Sequence, residues 1–160
     1  MNPAQQPHDV VAERAVLGAV LAQPKRIPEV AAAMRADDLY VEAHRVLFEA
    51  VLECDARGIA LDTLTLADFL KSRGQLNRVG GIAYLAELDN AVPTAANALE
   101  YARIVAERGV RRRALAVLEP VVRLLASELG DSADAVAAAQ LGLLEVEEKR
   151  QAGCCYSSAL

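Results

Sequence analysis

Tryptophan is absent from this 160-residue chain and aromatic residues amount to only 4% of it, although hydrophobic residues make up 54%. Alanine, leucine and valine must therefore fill the core, a composition that favours helices over strands. The only cysteines are Cys54, Cys154 and Cys155. They form neither a CxxC pair nor an even disulfide framework, and the odd number fits a reducing, cytoplasmic compartment. Lysine is confined to Lys25, Lys71 and Lys149, none of which follows a glycine, so the GxxxxGK[ST] phosphate loop is missing. With His8 and His44 the only histidines, there is no HExxH motif and no Cys/His zinc set.

Long apolar runs are missing too. The strongest, Ala15 to Ala22, falls far short of the roughly 20 residues that cross a bilayer, and the first residues show no basic segment leading into an apolar one. No membrane association is expected. A formal net charge of −5 and a pI near 5.1 give a field that repels phosphate overall, which disfavours a free-standing DNA-binding module.

What is present reads as helix with chemical punctuation. Residues 1–8 form a lead-in rich in Pro and Gln, and Asp9 is placed to cap a first helix reaching Ala22, with Val10, Val16, Leu17, Val20 and Leu21 as its apolar stripe. A short helix starts at Pro28, and Asp37 to Tyr40 connects it to a third, whose Val46, Leu47, Ala50, Val51 and Cys54 recur at three- and four-residue steps. Gly58 stops that helix, Asp62 caps a fourth that Gly74 ends, and Gly80-Gly81 opens a fifth that closes at Val92-Pro93. Residues 9–93 thus make a helical head.

Beyond it the pattern changes. From Thr94 to Glu128 no turn cluster interrupts an amphipathic run, which as one helix would be roughly 50 Å long at about 1.5 Å per residue. Gly109 and Pro120 lie inside this run, and a kink is expected at the proline. Gly130-Asp131-Ser132 breaks it, and a last helix follows to Arg150. Leu118, Val122, Leu125 and Leu129 on one helix and Val136, Ala139, Leu143 and Val146 on the other recur with alternating steps of four and three, so residues 94–150 should fold as an antiparallel hairpin. Residues 151–160 are expected to be a disordered tail. The fold class is all-α, a compact multi-helix head followed by a protruding hairpin. Leu115, Val121, Leu124, Leu141 and Leu144 fall off the expected seam, and either meet a partner or fold back on the head.

No catalytic residues are identified. His44 reads as a capping or partly buried structural histidine, Cys54 as a small hydrophobe, and the carboxylates sit where connectors and solvated helix faces need charge. Arg103, Arg108, Arg111, Arg112 and Arg113 make the one basic cluster. It reads as a solvated face balanced by Glu100 and Glu107 rather than a nucleic-acid site, since no aromatic interleaves it.

The order of short motifs carries a resemblance. AERAVLGAVL at 12–21, DLY at 38–40, AHRVLFEA at 43–50, Arg57-Gly58, Asp62, Thr65-Leu66-Ala67, VGGIAYLAEL at 79–88, VPTAAN at 92–97 and YARIV at 101–105 follow one another with specific spacing. Together they resemble the amino-terminal domain of the DnaB-type replicative DNA helicase family. Leu39 stands where that family usually has phenylalanine and Ala60 where it often has proline, while Gly109 and Pro120 loosen a helix that is usually stronger.

The resemblance implies a non-catalytic collar domain that assembles with copies of itself as a trimer of dimers, docks primase and a helicase loader, and meets single-stranded DNA only through a full-length ring. ATP and magnesium belong to a motor domain, and this chain needs no cofactor of its own. By the same resemblance Tyr84, Leu115 and Val121 lie where primase contacts occur, although Tyr84 reads equally as a core aromatic. The chain ends soon after the hairpin without a motor, which fits either a piece of a helicase or a stand-alone collar regulator.

Overall fold

The computed structural model describes residues 6–90, 95–127 and 131–151, and these form seven α-helices, with no strand among them. They are α1 (Val10–Ala22), α2 (Ile27–Ala33), α3 (Glu42–Ala56), α4 (Thr63–Ser72), α5 (Gly81–Asn90), α6 (Ala98–Ala126) and α7 (Ser132–Gln151). The expected caps are in place. The Asp9 carboxylate accepts from Ala12 N at 3.0 Å, and Asp62 accepts from Leu64 N and Thr65 N, both at 2.8 Å. Gly58 and Gly74, past the ends of α3 and α4, both sit at φ 67°.

α1 is the central rod of the head. Ala12, Glu13 and every residue from Val16 to Leu21 are buried, so neighbours cover it on nearly all sides. It packs on α3, α5 and α6, and the fully buried Leu17, Leu47, Phe48, Leu66, Leu70, Leu85 and Leu88 bring these helices and α4 into one core. Leucines, valines and alanines do most of the filling, as a sequence poor in aromatics requires.

Ala98, Ala102 and Val105 belong to that same core. The head therefore takes in the first turns of α6, and its border with the hairpin falls within that helix, near Gly109, rather than ahead of it at 93/94. Val92, Pro93 and Thr94 lie outside the described residues, as do 1–5 and 152–160, where most of the expected lead-in and tail fall. α6 runs unbroken through Pro120, whose ring is exposed. Its 29 residues span roughly 44 Å.

α7 returns along the outer half of α6, and the two form the most extensive helix pairing among the described residues. Gly142 lies against Val117, while Lys149 and Arg150 come back beside Ala106 and Val110, so the pair is antiparallel.

The seam runs one residue away from the one expected. Ala135 and Val146 are buried, Ala139 and Gly142 are half-buried, and on α6 the half-buried Val110, Ala114, Val117 and Val121 line up at steps of four and three. Val122, Leu125, Val136 and Leu143 are turned outward, Val122 with 62% of its surface exposed. The physical reason is closeness. A Cβ added to Gly142 would stand 2.6 Å from Val117 Cγ1, so small residues take the interface and the leucines one step along are displaced to its edge. Of the expected seam, Val146 is buried and Leu118 and Ala139 half-buried, while Leu129 lies outside the described residues.

Candidate functional site

Two buried polar nodes fix the head and the root of the hairpin. In the first, the Glu13 carboxylate on α1 accepts from Tyr40 N at 2.6 Å and Val41 N at 3.3 Å, immediately ahead of α3. Val41, the N-cap of α3, makes no side-chain cap of its own, and an acid from another helix instead holds its amide and that of Tyr40 before it. Glu13 also pairs with His44 Nδ1 at 2.7 Å, and His44 Nε2 meets the Tyr84 hydroxyl at 2.6 Å. The His44 ring thus bridges the Glu13 carboxylate on α1 and the Tyr84 hydroxyl on α5. Burial pushes the Glu13 pKa upward, but the His44 hydrogen bond and the Tyr40 and Val41 amides outweigh it and leave it below the ordinary value of 4.5. Arg14 stacks over the Tyr84 ring and reaches Glu87 at 3.6 Å.

In the second node, Asp38 is the anchor. Its Oδ2 accepts from Arg35 N at 2.8 Å and its Oδ1 from Arg113 Nη1 at 2.5 Å, and its backbone oxygen accepts from Arg112 Nη2 at 2.5 Å. Arg112 also donates to Pro7 O at 2.7 Å and lies over the Tyr40 ring, on which His8 stacks at 4.4 Å. Burial lowers the Arg112 pKa, and nearby Glu13 and Asp38 pull it back. Gly109 is where α6 passes this turn. A Cβ there would lie 2.8 Å from Asp38 Cα and would overlap its carboxylate, so this glycine marks close packing and not a loosened helix.

The arginine cluster thus divides. Arg103 and Arg111 form the exposed pairs with Glu100 and Glu107 that the spacing implied, at 2.7 and 2.9 Å. Arg112 and Arg113 turn inward as clamps, contrary to a uniformly solvated face. His44 and Cys54 are buried, and burial raises the Cys54 pKa. No group of His, Cys, Asp or Glu that could hold a metal ion occurs among the described residues, and no helix there is long and apolar enough to cross a membrane.

The surface that remains is on the hairpin. At about 100° per residue, Leu115, Leu118, Val122 and Leu125 share one flank of α6, and Val136 and Leu143 share one flank of α7. In an antiparallel pair with the seam described above, these two flanks fall on the same side and join as one apolar strip. Leu118 and Leu115 are half-covered, and the other four are exposed. On the far face of α7, Leu141 and Leu144 are 65% and 60% exposed. Tyr84 sits on α5 in the head, half-buried and bonded inward by its hydroxyl, whereas Leu115 and Val121 lie on the hairpin. Sequence reasoning missed Glu13 and Asp38. Glu13 was visible as the one acid in step with Val16, Leu17 and Val20, a carboxylate placed in an apolar stripe.

Residues 5–107 match the family model of the DnaB-like helicase N-terminal domain. The chain is 40% identical over 148 residues to the replicative DNA helicase DnaB of Mycobacterium leprae (strain TN), a match covering 91% of this chain and 24% of that protein. It is 35% identical over 140 residues to DnaB of Leifsonia xyli subsp. xyli (strain CTCB07), covering 88% and 31%. The chain therefore spans about a quarter to a third of the length of these relatives. Among solved structures, the N-terminal domain of DnaB helicase from Mycobacterium tuberculosis superposes with a TM-score of 0.80 at 39% identity, covering 88% of this chain and 99% of that one. A DnaB-like replicative helicase, described with its interactions with primase, gives 0.68 at 22% identity over 86% of this chain and 31% of that one, a likeness of fold alone.

Proposed function

Because the chain belongs to the DnaB-like helicase N-terminal domain family, we propose that it is the non-catalytic collar of a replicative helicase, joining copies of itself and docking primase during DNA replication in the cytoplasm. The hairpin carries the self-association. Its apolar strip of Leu115, Leu118, Val122, Leu125, Val136 and Leu143 is the observation that supports this reading most, since a single chain leaves most of it in water. A second copy placing the same strip against it makes a self-complementary two-fold contact. Three such pairs closing into a ring would give the collar, on which primase and a helicase loader dock. ATP, magnesium and single-stranded DNA are handled by the motor of a longer protein.

Light scattering on the chain, together with titration of the cognate primase, tests the proposal. Association of the chain and saturable primase binding are expected, and a strict monomer at high concentration with no primase binding would sink it. The strip itself is tested by Val122→Glu combined with Leu143→Glu. Each exposed apolar side chain that becomes covered contributes about 1.5–3 kcal/mol, so the double variant should associate at least about a hundredfold more weakly. Its helical circular dichroism and melting midpoint should stay near those of the parent, because both positions are exposed in the single chain. Unchanged association would move the interface elsewhere.

A further inference from the structure

A partly enclosed cavity of about 90 Å³ lies between the end of α2, the middle of α6 and the C-terminal end of α7. Arg35, Arg113, Lys149 and Arg150 line it together with one acid, Asp38, in a chain whose formal net charge is −5. Bringing like charges this close is unfavourable unless something of opposite sign meets them. Two of the four are partly neutralised, Arg113 by Asp38 at 2.5 Å and Arg150 by Glu147 at 2.6 Å. Arg35 and Lys149 have no ion-pair partner among the described residues. Arg113 Nε is also buried with no acceptor among them.

We propose that this cavity binds a single phosphate group. The cavity is small and lined by cations on several sides, which suits one tetrahedral oxyanion. A phosphate offers several acceptor oxygens to donors arriving from different directions, as guanidinium forks and an ammonium require. It would also tie the head, through Arg35, to the returning end of the hairpin, through Lys149. The site stands independently of the collar reading, since it rests on residues within one chain.

Titration of the full chain with inorganic phosphate, followed by calorimetry at ionic strength held constant with chloride, should show saturable binding with one phosphate per chain. Lys149→Ala, at an exposed position, and the Arg35→Ala/Lys149→Ala pair should weaken it, the pair by at least about tenfold. Lys71→Ala removes the same charge from α4, outside the cavity, and should leave binding unchanged. Adenosine 5′-monophosphate distinguishes the sources of the group. Competition with phosphate shows that an esterified phosphate enters, and failure to compete while phosphate binds identifies the free ion as the ligand. No saturable binding, or an equal loss in Lys71→Ala, overturns the proposal, as does full binding by the Arg35→Ala/Lys149→Ala protein with native circular dichroism.

Discussion

Glu13→Ala should lower the unfolding free energy by about 3–5 kcal/mol, the range for removing one partner from a buried charged network. Glu13 is 1% exposed, and loss of its carboxylate strands the Tyr40 and Val41 amides and His44 Nδ1 at once. For a chain of this size the melting midpoint should fall by on the order of 10 °C. Glu13→Gln separates charge from shape. Its amide keeps the volume but offers one acceptor oxygen where three donors converge, and turns its own donors toward theirs.

The pH dependence has a definite sign. The folded-state pKa of Glu13 lies below its ordinary value of 4.5, so the folded protein binds this proton less readily than the unfolded chain does. The stabilisation is complete above about pH 4.5 and disappears as pH falls through the folded value. The stability gap between the parent and Glu13→Gln should therefore narrow on acidification below that point, in denaturant melts at a series of pH values. A gap that widened with acid would remove the carboxylate from the account.

Gly109→Val should cost about 3 kcal/mol, at the upper end for forcing extra atoms into a packed site. The obstacle is backbone, because Asp38 Cα stands 2.8 Å from where the new Cβ would be. Neither element can yield without breaking the Arg113 and Arg112 bonds to the same turn. Gly142→Ala is the matched comparison. Its Cβ would meet Val117 Cγ1, the end of a side chain, and alanine regains about 1 kcal/mol of helix propensity, so its net effect should stay within about 1 kcal/mol. Equal midpoints for the two variants in urea would show that the turn at Asp38 is not the constraint.

These two glycines mark the limits of what the sequence discloses. Helix ends were legible because their chemistry is local, as with Asp9 capping α1 and Asp62 capping α4. The hairpin was legible as a pair of helices, but its seam was displaced by one residue. Apolar periodicity ranks leucines first, whereas close approach of two rods selects Ala135, Gly142 and Val117. The Asp38–Arg113 contact joins residues 75 apart, and nothing local distinguishes Arg113 from the solvated Arg111. Glu13 was the exception among the missed residues, since a lone acid within a buried face announces a partner even when it cannot name it.

α6 begins inside the core at Ala98 and continues without a break to Ala126 beside α7. Such a beam has no hinge between the body and its arm. A tilt of the arm at its root is therefore passed straight to the body through α6.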